Sequence, residues 1–414
     1  MNLLRRHLCR FGLGALTLTG ATAGARMYNY GDLPVGERAA GMGMTAVAAS
    51  SDVGDAYWNP AAVADLQAPM IGASVSSYSR IDARTGEDVS VFESIKDSLV
   101  RGSVETIPAF VGGNFNTKGW VWGGGIVMPS TLSFRGTLNP DDGIISYSAK
   151  SRATHLLTFA SRRKGTFSYG ASLTVASFTE EENSFELSSD APNALQNTEY
   201  YYSLNTLIAG LGVVWDASPG WRLGVSTSLP VRLLGGDGSF AEVRSGETDH
   251  TVKKFSLDRH PFPMRFSAGV EWIPETAWTF AFDVHAYTGF TRNLAASAPY
   301  SLLSVSAKPV VNLNLGVQWR GWSRVGLRAG LFTNFSSSKE KFSRYATLQD
   351  SVDMYGATAA IYFPTPNGSI SIGGFMQGGQ GKMTDLTADG GSVGTVKRTI
   401  YVYGAILGST YLFL

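Results

Sequence analysis

Hydrophobic and polar residues alternate along much of the chain. In the clearest stretch, Trp278, Phe280 and Phe282 fall on one face of an extended segment, and Asp283 and His285 fall on the other. A period of two residues is the signature of a β-strand. The same alternation recurs at Met264–Trp272, Val311–Trp319 and Val325–Thr333. The pattern therefore predicts a protein built from strands.

Extending this pattern along the sequence gives fourteen candidate strands. They are predicted at 69–80, 104–115, 119–134, 148–161, 165–180, 199–215, 220–234, 256–273, 277–291, 305–320, 322–335, 351–363, 368–380 and 397–413. Strands of soluble proteins usually have about five or six residues, whereas a tilted strand that crosses a membrane needs about nine to eleven. The length of the predicted segments favours membrane-crossing strands.

Short and long connections alternate between these segments. Short turns at 116–118, 162–164 and 216–219 contrast with long loops at 81–103 and 181–198. Short periplasmic turns, long external loops and aromatic girdles are typical of bacterial outer-membrane barrels. Tryptophans lie near the predicted strand ends at Trp215, Trp221, Trp272, Trp278, Trp319 and Trp322. We predict an all-β fold: a transmembrane antiparallel β-barrel of about 14 strands, spanning residues 69–414, in the bacterial outer membrane.

Closure of the sheet is the physical reason for this prediction. Hydrocarbon cannot satisfy backbone hydrogen-bonding groups, so a sheet edge exposed to lipid is excluded and the strands must form a ring. The outward face then contacts lipid, while the inward face can be polar. An even number of strands also returns the N- and C-termini to the periplasmic side. The chain ends with Tyr411 and Phe413, which fits either a terminal aromatic signal for barrel insertion or an ordinary strand end.

Composition supports the same class. Of the 414 residues only 16% are charged, 12% are aromatic and 48 are glycine, whereas soluble domains carry about 25% charged residues. Beyond residue 25 there is no apolar run of about 18 residues, so the sequence predicts no membrane-spanning helix. The formal net charge of +1 gives no electrostatic reason to expect nucleic acid as a partner.

Residues 1–25 have the features of a secretory signal peptide. Arg5, Arg6 and Arg10 precede a short apolar core at 11–20, and small residues follow at 21–25. The single cysteine, Cys9, lies in this predicted leader. We therefore expect a mature chain without thiol or disulfide chemistry.

Residues 26–68 lack long alternation and are rich in small residues. The segment 36–50 is suited to a short helix, and Asn59-Pro60 indicates a turn, because proline disfavours helical backbone in the preceding residue. We predict that residues 26–68 form an N-terminal plug (hatch) inside the barrel lumen; the alternative is a periplasmic extension.

The same region resembles the FadL/TodX family of outer-membrane transporters. The resemblance rests on Gly36-Glu-Arg-Ala-Ala-Gly-Met-Gly43, on Asp52 and on Tyr57-Trp58-Asn59-Pro60-Ala61. Two positions depart from the family pattern: Ala62 replaces its usual glycine, and Gly43-Met44-Thr45 replaces Gly-Gly-Ala. A related branch with the same Tyr-Trp-Asn-Pro-Ala run serves protein secretion or surface attachment.

The resemblance implies passive transport of long-chain fatty acids or hydrocarbons by a monomer surrounded by outer-membrane lipid and lipopolysaccharide. It implies capture at the external loops, binding in the barrel and lateral exit at a kinked third strand. The alternative function is a non-transporting barrel that docks a partner for protein secretion or surface attachment. For capture, Phe92, Ile95 and Leu99 have helical spacing in the loop 81–103, which is either a short amphipathic helix or a loop that packs on itself.

The exit and its gate are predicted in two segments. Pro129 follows Gly125 in the third strand; proline removes a ladder donor and glycine tolerates bends, so we expect a kink or bulge there. In the family a kink in this strand opens towards the membrane. The hatch turn at Asn59, Pro60 and Ala61 is expected to lie near it as a gate; the alternative is a bulge without function.

Candidate ligand-binding residues face the lumen in the predicted strands. They combine aromatic and basic groups at Arg265, His285, Tyr287, Arg328, Phe332 and Phe375. An arginine at the mouth of an apolar cavity is suited to bind a carboxylate in bidentate geometry. The alternative is that these arginines form structural ion pairs with Asp283 and Glu271 across the lumen.

Catalysis has no comparable support. The sequence contains no Ser-His-Asp spacing, paired carboxylates or Gly-rich phosphate loop, and its five histidines are scattered. We expect no enzyme activity, cofactor or metal site.

Overall fold

The computed structural model describes residues 28–31, 33–49, 51–66, 68–84, 100–101, 105–138, 143–188, 195–244, 251–295, 304–339, 350–384 and 395–413. The predicted leader at 1–25 lies outside the described residues. So does the predicted capture helix with Phe92, Ile95 and Leu99.

Eighteen strands are present among the described residues. They are β1 (Met70–Arg84), β2 (Val100–Arg101), β3 (Glu105–Thr117), β4 (Trp120–Leu138), β5 (Gly143–Lys164), β6 (Phe167–Ser188), β7 (Leu195–Ser218), β8 (Trp221–Arg244), β9 (Thr251–Ser256), β10 (Arg265–Trp272), β11 (Trp278–Tyr287), β12 (Phe290–Asn293), β13 (Ser304–Ala307), β14 (Val310–Trp319), β15 (Gly326–Asn334), β16 (Asp350–Thr365), β17 (Gly368–Thr384) and β18 (Thr395–Leu412).

Fourteen of these strands form a closed antiparallel ring. All except β2, β9, β12 and β13 belong to it; β1 pairs with β18, β8 pairs with β10, and the other strands pair with their neighbours along the chain. Each ring strand overlaps one of the fourteen predicted segments, so the predicted barrel and its strand number are confirmed. The remaining four strands belong to the long connections.

Alternation along the strands separates the two faces of the ring. In β11 the outward-facing Trp278 and Phe280 are 44% and 41% exposed, whereas the inward-facing Asp283 and His285 are 1% and 2% exposed. Apolar residues outside and polar residues inside reverse the arrangement of a soluble protein, and they suit a wall surrounded by lipid. None of the helices in the described part of the chain is long and apolar enough to span a membrane.

An aromatic belt surrounds the short-turn end of the barrel. Trp221 stacks on Trp272 with ring centroids 5.6 Å apart, and Trp278 lies 6.2 Å from Trp319. Trp319 in turn meets Trp322 edge-to-face at 4.7 Å. Such rings place a polar edge at the membrane interface and an apolar body towards the lipid tails.

The N-terminal segment, residues 28–66, contacts the inner wall of the barrel. It contains helix α1 (Glu37–Gly41) and two 3-10 helices (Val53–Tyr57 and Ala62–Asp65). These helices contact β1, β3 to β7 and β15 to β18, which are ten consecutive strands of the ring. We call this stretch the inner segment. Its backbone approaches the wall closely at Gly43 (φ 63°), where a Cβ atom would lie 2.5 Å from the Leu315 carbonyl oxygen.

The inner segment runs from the long-loop end of the lumen to the short-turn end. The Asn29 side chain donates to the carbonyl of Asn334, the last residue of β15. At the opposite end, Asp65 accepts hydrogen bonds from Arg163 and Arg222, each at 2.7 Å, beside two short turns. Residue 28 and the C-terminal end of β18 therefore lie at opposite ends of the barrel.

Candidate ligand cavity

Buried ion pairs hold the inner segment to the barrel. Arg38 Nη2 lies 2.5 Å from Glu271 Oε1 of β10, and Arg328 Nη1 of β15 lies 2.7 Å from Glu37 Oε1. All four side chains are at most 5% exposed. Gln318 Oε1 lies between the two pairs and accepts from Arg38 Nε at 3.3 Å and from Arg328 Nε at 3.0 Å.

The inner segment also binds Asp283, on the inward face of β11. Asp283 Oδ2 accepts hydrogen bonds from the backbone N–H groups of Ala46 at 2.7 Å and Val47 at 3.0 Å. The structural alternative for the lumen arginines, pairing with Asp283 and Glu271 across the barrel, is therefore wrong in its choice of partners. The inner segment lies between the walls, so Arg328 and both acids bind to it rather than to each other.

Two neighbouring carboxyl groups organise the first 3-10 helix. Asp52 caps it by accepting from the Gly54 N–H at 3.1 Å and also accepts from the Glu37 N–H, while Asp55 accepts from the Asp52 N–H at 3.1 Å. Burial, reinforced by the charge of Asp52, raises the pKa of Asp55 to about 8. Burial and Glu37 raise the pKa of Asp52 as well.

An open cavity lies between the inner segment and the walls of β4 to β8, β10 and β11, with about 750 Å³ of empty space that includes its opening to solvent. Its surface is mainly apolar and aromatic, with contributions from Tyr30, Tyr57, Phe178, Phe262 and Tyr287. The rings of Tyr30 and Tyr287 stack with centroids 4.5 Å apart. An apolar concave site with a few polar groups is the usual form of a small-molecule site.

The cavity reaches an irregularity in the third barrel strand. The register between β4 and β5 shifts between Val127 and Ser130, so β4 carries one extra residue around Pro129. The ladder between β3 and β4 ends at the pair Phe110↔Val127. Beyond it β3 pairs with β1 and β4 pairs with β5, so the two strands have no ladder with each other.

The inner segment covers this gap from within. The backbone N–H of Leu33 donates to the Pro129 carbonyl at 3.3 Å, and Met128 packs on a buried cluster that contains Leu33, Ala40 and Phe375. Gly125 lies below the gap, where its lack of a side chain leaves room for the Phe110 ring: a Cβ atom there would lie 3.0 Å from Phe110 Cε2.

Arg265 supplies the positive charge of the cavity. Its Nη2 donates to the Tyr57 carbonyl at 2.8 Å, and its guanidinium lies 5.3 Å from the Tyr57 ring centroid and 5.1 Å from that of Trp58. Within the described part of the chain, no carboxylate forms an ion pair with Arg265. The cavity therefore contains a cation whose charge is balanced by aromatic faces and a carbonyl dipole.

The hatch turn lies against a different part of the wall from Pro129. Asn59 Nδ2 donates to the Val47 carbonyl at 2.7 Å, and Asn59 Oδ1 accepts from the Ala61 N–H at 3.0 Å. Pro60 packs against β6 and Asn59 against β7, where only glycine fits: a Cβ atom on Gly212 would lie 1.9 Å from Asn59 Oδ1. The residue that contacts Pro129 is Leu33.

The structure brings three of the predicted residues together in the cavity: Pro129, Arg265 and Tyr287. His285 is adjacent, with its ring 5.1 Å from Trp58 and its Nδ1 2.8 Å from Ser267 Oγ. Arg328 pairs with the inner segment, and Phe332 and Phe375 belong to buried clusters that pack against it. Their proposed contact with a ligand is untested.

The cavity also contains residues that sequence reasoning did not select. His155, on β5, faces the cavity beside the irregularity and lies 6.1 Å from the Phe262 ring. Phe262 belongs to the connection between β9 and β10, which Arg292 holds through hydrogen bonds to the carbonyls of His260 at 2.9 Å and Phe262 at 3.3 Å. Strand alternation marks His155 as inward-facing, but the sequence contains no signal for Phe262.

No group of three or more potential metal ligands occurs among the described residues. No protein-family profile matches the sequence, and no curated protein matches it. Solved structures, by contrast, match over almost the whole chain.

A FadL homologue from Pseudomonas aeruginosa superposes with a TM-score of 0.73 at 14% identity, covering 95% of this chain and 100% of that chain. The toluene transporter TodX from Pseudomonas putida gives 0.67 at 12% identity, covering 94% and 100%. The toluene transporter TbuX from Ralstonia pickettii gives 0.59 at 11% identity, covering 93% and 99%. The chain therefore has the FadL-type outer-membrane barrel fold, which confirms the predicted resemblance at the level of fold.

Proposed function

We propose that the protein is a passive channel for hydrophobic molecules in the bacterial outer membrane. The observation that carries the proposal is the apolar, aromatic cavity, which extends to the end of the β3–β4 ladder at Pro129. The fold it shares with toluene transporters supports the same conclusion. The docking alternative expects a lumen packed shut, and the cavity argues against it.

The route has three steps. A hydrophobic molecule is captured by the long external loops, occupies the cavity beneath Phe262, and leaves sideways into the lipid through the gap between β3 and β4. Lateral exit suits such a molecule because it avoids the aqueous periplasm. In this orientation the short turns and the end of β18 face the periplasm. The channel acts as a monomer within lipid and lipopolysaccharide, without catalysis or a cofactor.

Two features of the cavity accommodate different ligands. The aromatic walls suit a hydrocarbon, and Arg265 suits the carboxylate of a fatty acid because it has no acidic partner among the described residues. The hatch turn at Asn59, Pro60 and Ala61 anchors the inner segment against β6 and β7. The Leu33 contact with Pro129 closes the gap until a ligand arrives.

Filling the cavity tests the proposal. Ala153→Phe places a ring in the cavity wall of β5, whereas Ala160→Phe on the same strand places it on the lipid face and serves as the matched control. We expect uptake of labelled toluene and of labelled oleate, by cells that express each variant, to fall about tenfold for Ala153→Phe and to stay unchanged for Ala160→Phe. Heat-modifiable electrophoretic mobility reports whether each barrel has folded.

The proposal fails if wild-type protein raises uptake of neither compound above that of cells without it. It fails equally if folded Ala153→Phe transports as well as the control.

A further inference from the structure

A second, smaller compartment opens off the cavity. This side pocket lies between the inner segment and the walls of β5 to β8 and β10, and shares Tyr57, His155, Ile208, Ser228 and Arg265 with the larger cavity. Three hydroxyl-bearing residues line the side pocket and not the larger cavity: Ser172 and Thr174 on β6 and Thr227 on β8. The larger cavity is mainly apolar, whereas the side pocket combines hydroxyl-bearing residues with apolar ones such as Trp58 and Leu157.

His155 lies at the junction of the two compartments. It is 7% exposed, and its Nε2 atom forms no hydrogen bond with the rest of the described protein. Its ring contacts are apolar: the Tyr57 ring at 5.7 Å and the Phe262 ring at 6.1 Å. Because a buried polar nitrogen is costly without a partner, this geometry indicates that His155 meets a polar group delivered by a bound molecule.

The position of His155 connects the side pocket to the exit. His155 pairs with Val127 on β4, at the last regular pair before the Pro129 irregularity. A molecule with its apolar body in the larger cavity and its polar end at His155 therefore lies beside the gap between β3 and β4.

The chemistry of the side pocket favours an uncharged group. Serine and threonine hydroxyls and a neutral imidazole each combine donor and acceptor functions, which complement a ligand hydroxyl that also donates and accepts. A carboxylate only accepts, and its desolvation costs far more than that of a hydroxyl. Arg265 also lines the side pocket, but its Nη2 donates to the Tyr57 carbonyl and its guanidinium lies against the Tyr57 and Trp58 rings.

We propose that the side pocket binds the hydroxyl group of an uncharged hydrophobic alcohol or phenol, with Thr174 and His155 as its hydrogen-bonding partners. The inference rests on the proposed function and narrows it: among hydrophobic molecules of one carbon skeleton, the channel recognises the hydroxylated one through this pocket.

Two matched series of compounds test the assignment by equilibrium binding to purified protein in detergent. The ring series is ethylbenzene, 2-phenylethanol and phenylacetate; the chain series is decane, 1-decanol and decanoate. The variants are Thr174→Val and His155→Phe, with His155→Gln to retain a hydrogen-bonding group. Thr158→Val, on the lipid face of β5, is the control.

Loss of one hydrogen bond is expected to weaken binding of the alcohol about 3- to 10-fold in Thr174→Val and His155→Phe. Binding of the hydrocarbon should stay unchanged, His155→Gln should recover most of the affinity, and Thr158→Val should resemble wild type. Comparing each variant with wild type for the same compound cancels the partition of that compound into detergent.

Two results would overturn the assignment. One is that the variants change the binding affinities of alcohol and hydrocarbon equally, or change neither. The hydroxyl groups of the pocket would then bind water rather than the ligand. The other is that phenylacetate and decanoate lose most affinity, which would place the polar end at Arg265. If wild-type protein binds no compound of either series, the proposed transport function fails, and this inference fails with it.

Discussion

Three barrel strands contain a proline at a shift of register: Pro108 in β3, Pro129 in β4 and Pro230 in β8. Pro108 and Pro129 border the same gap between β3 and β4, whereas Pro230 lies elsewhere in the wall, and the surroundings of Pro129 and Pro230 differ. In β4 the shift lies between Val127 and Ser130, around Pro129. In β8 it lies beside Pro230, which pairs with Ile208 of β7. Each proline lacks a backbone donor, so each weakens its ladder. From the sequence alone the two sites are equivalent candidates for a lateral opening.

The difference lies in what covers each site. The β8–β10 ladder ends at Ser228↔Arg265, but β8 pairs again with β9 from Asp237↔Ser256, and the Leu257 N–H donates to the Gly236 carbonyl at 2.9 Å. The cover there is the chain that joins β9 to β10. At Pro129 the cover is Leu33 of the inner segment, which donates a backbone hydrogen bond to Pro129 and belongs to the buried cluster against which Met128 packs. Under the proposed function, the bulge at Pro129 is the candidate exit because its cover is the inner segment, whereas the cover at Pro230 is the connection between two wall strands.

The largest effect is expected from Arg38→Met, which leaves Glu271 buried without its cation. Removing one partner of a buried ion pair costs about 3–5 kcal/mol. The inner segment should loosen and uncover the β4 site while the β8 site stays covered. Thiol labelling at Ser130→Cys should accelerate relative to labelling at Ser228→Cys in the same background. Both residues line the cavity.

Arg163→Met is the control for this comparison. Arg163 is 45% exposed and pairs with Asp65 at the short-turn end, and an exposed pair of this kind is worth under about 1 kcal/mol. Equal acceleration at both cysteines, or acceleration in Arg163→Met, would contradict the view that the inner segment covers only the β4 site.

The next effect separates the two prolines directly. Pro129→Ala restores a backbone donor, so β4 should straighten, the gap should narrow, and uptake of labelled toluene should fall several-fold. Pro230→Ala makes the same chemical change in β8 and should leave uptake unchanged. Equal uptake rates for wild type and Pro129→Ala would contradict an exit at β4. An equal loss of uptake in Pro129→Ala and Pro230→Ala would contradict a functional difference between the two sites.

The smallest effect concerns pH. Because the pKa of Asp55 is raised from 3.8 to about 8, the packed inner segment holds a proton that the released segment gives up. The contribution of Asp55 to the stability of the packed inner segment is therefore fully present below pH 3.8, and it is lost as the pH rises to about 8. The ratio of labelling at Ser130→Cys to labelling at Ser228→Cys should therefore rise between pH 5 and pH 9.

Asp55→Asn should flatten this dependence, since the amide oxygen still accepts from the backbone but does not titrate. Any pH dependence of the labelling ratio that remains in Asp55→Asn is assigned to Asp52, whose pKa is also raised. A ratio that does not vary with pH in the unmodified inner segment would contradict the assignment.

Some of the candidate site could be predicted from the sequence. Alternation places Arg265, Tyr287, Arg328 and Phe332 on the inward face, and all four are inward in the structure. It cannot distinguish an inward residue that meets the inner segment from one that meets the cavity. In the structure Arg265 lies beside the cavity, whereas Arg328 pairs with Glu37. Which contact an inward residue makes depends on the position of the inner segment, which is distant from it in the sequence.

The sequence by itself determined the barrel. A period of two residues over long segments, apolar on one face, has one stable arrangement in lipid, because backbone groups must be paired and an edge is not tolerated. Local pattern is sufficient for such a result, since every strand obeys the same rule. Tertiary structure alone decided the site: Leu33 over Pro129, Arg38 on Glu271 and His155 beside the side pocket are contacts between distant parts of the chain. They depend on how the inner segment fills the lumen, and no periodicity along the chain encodes that packing.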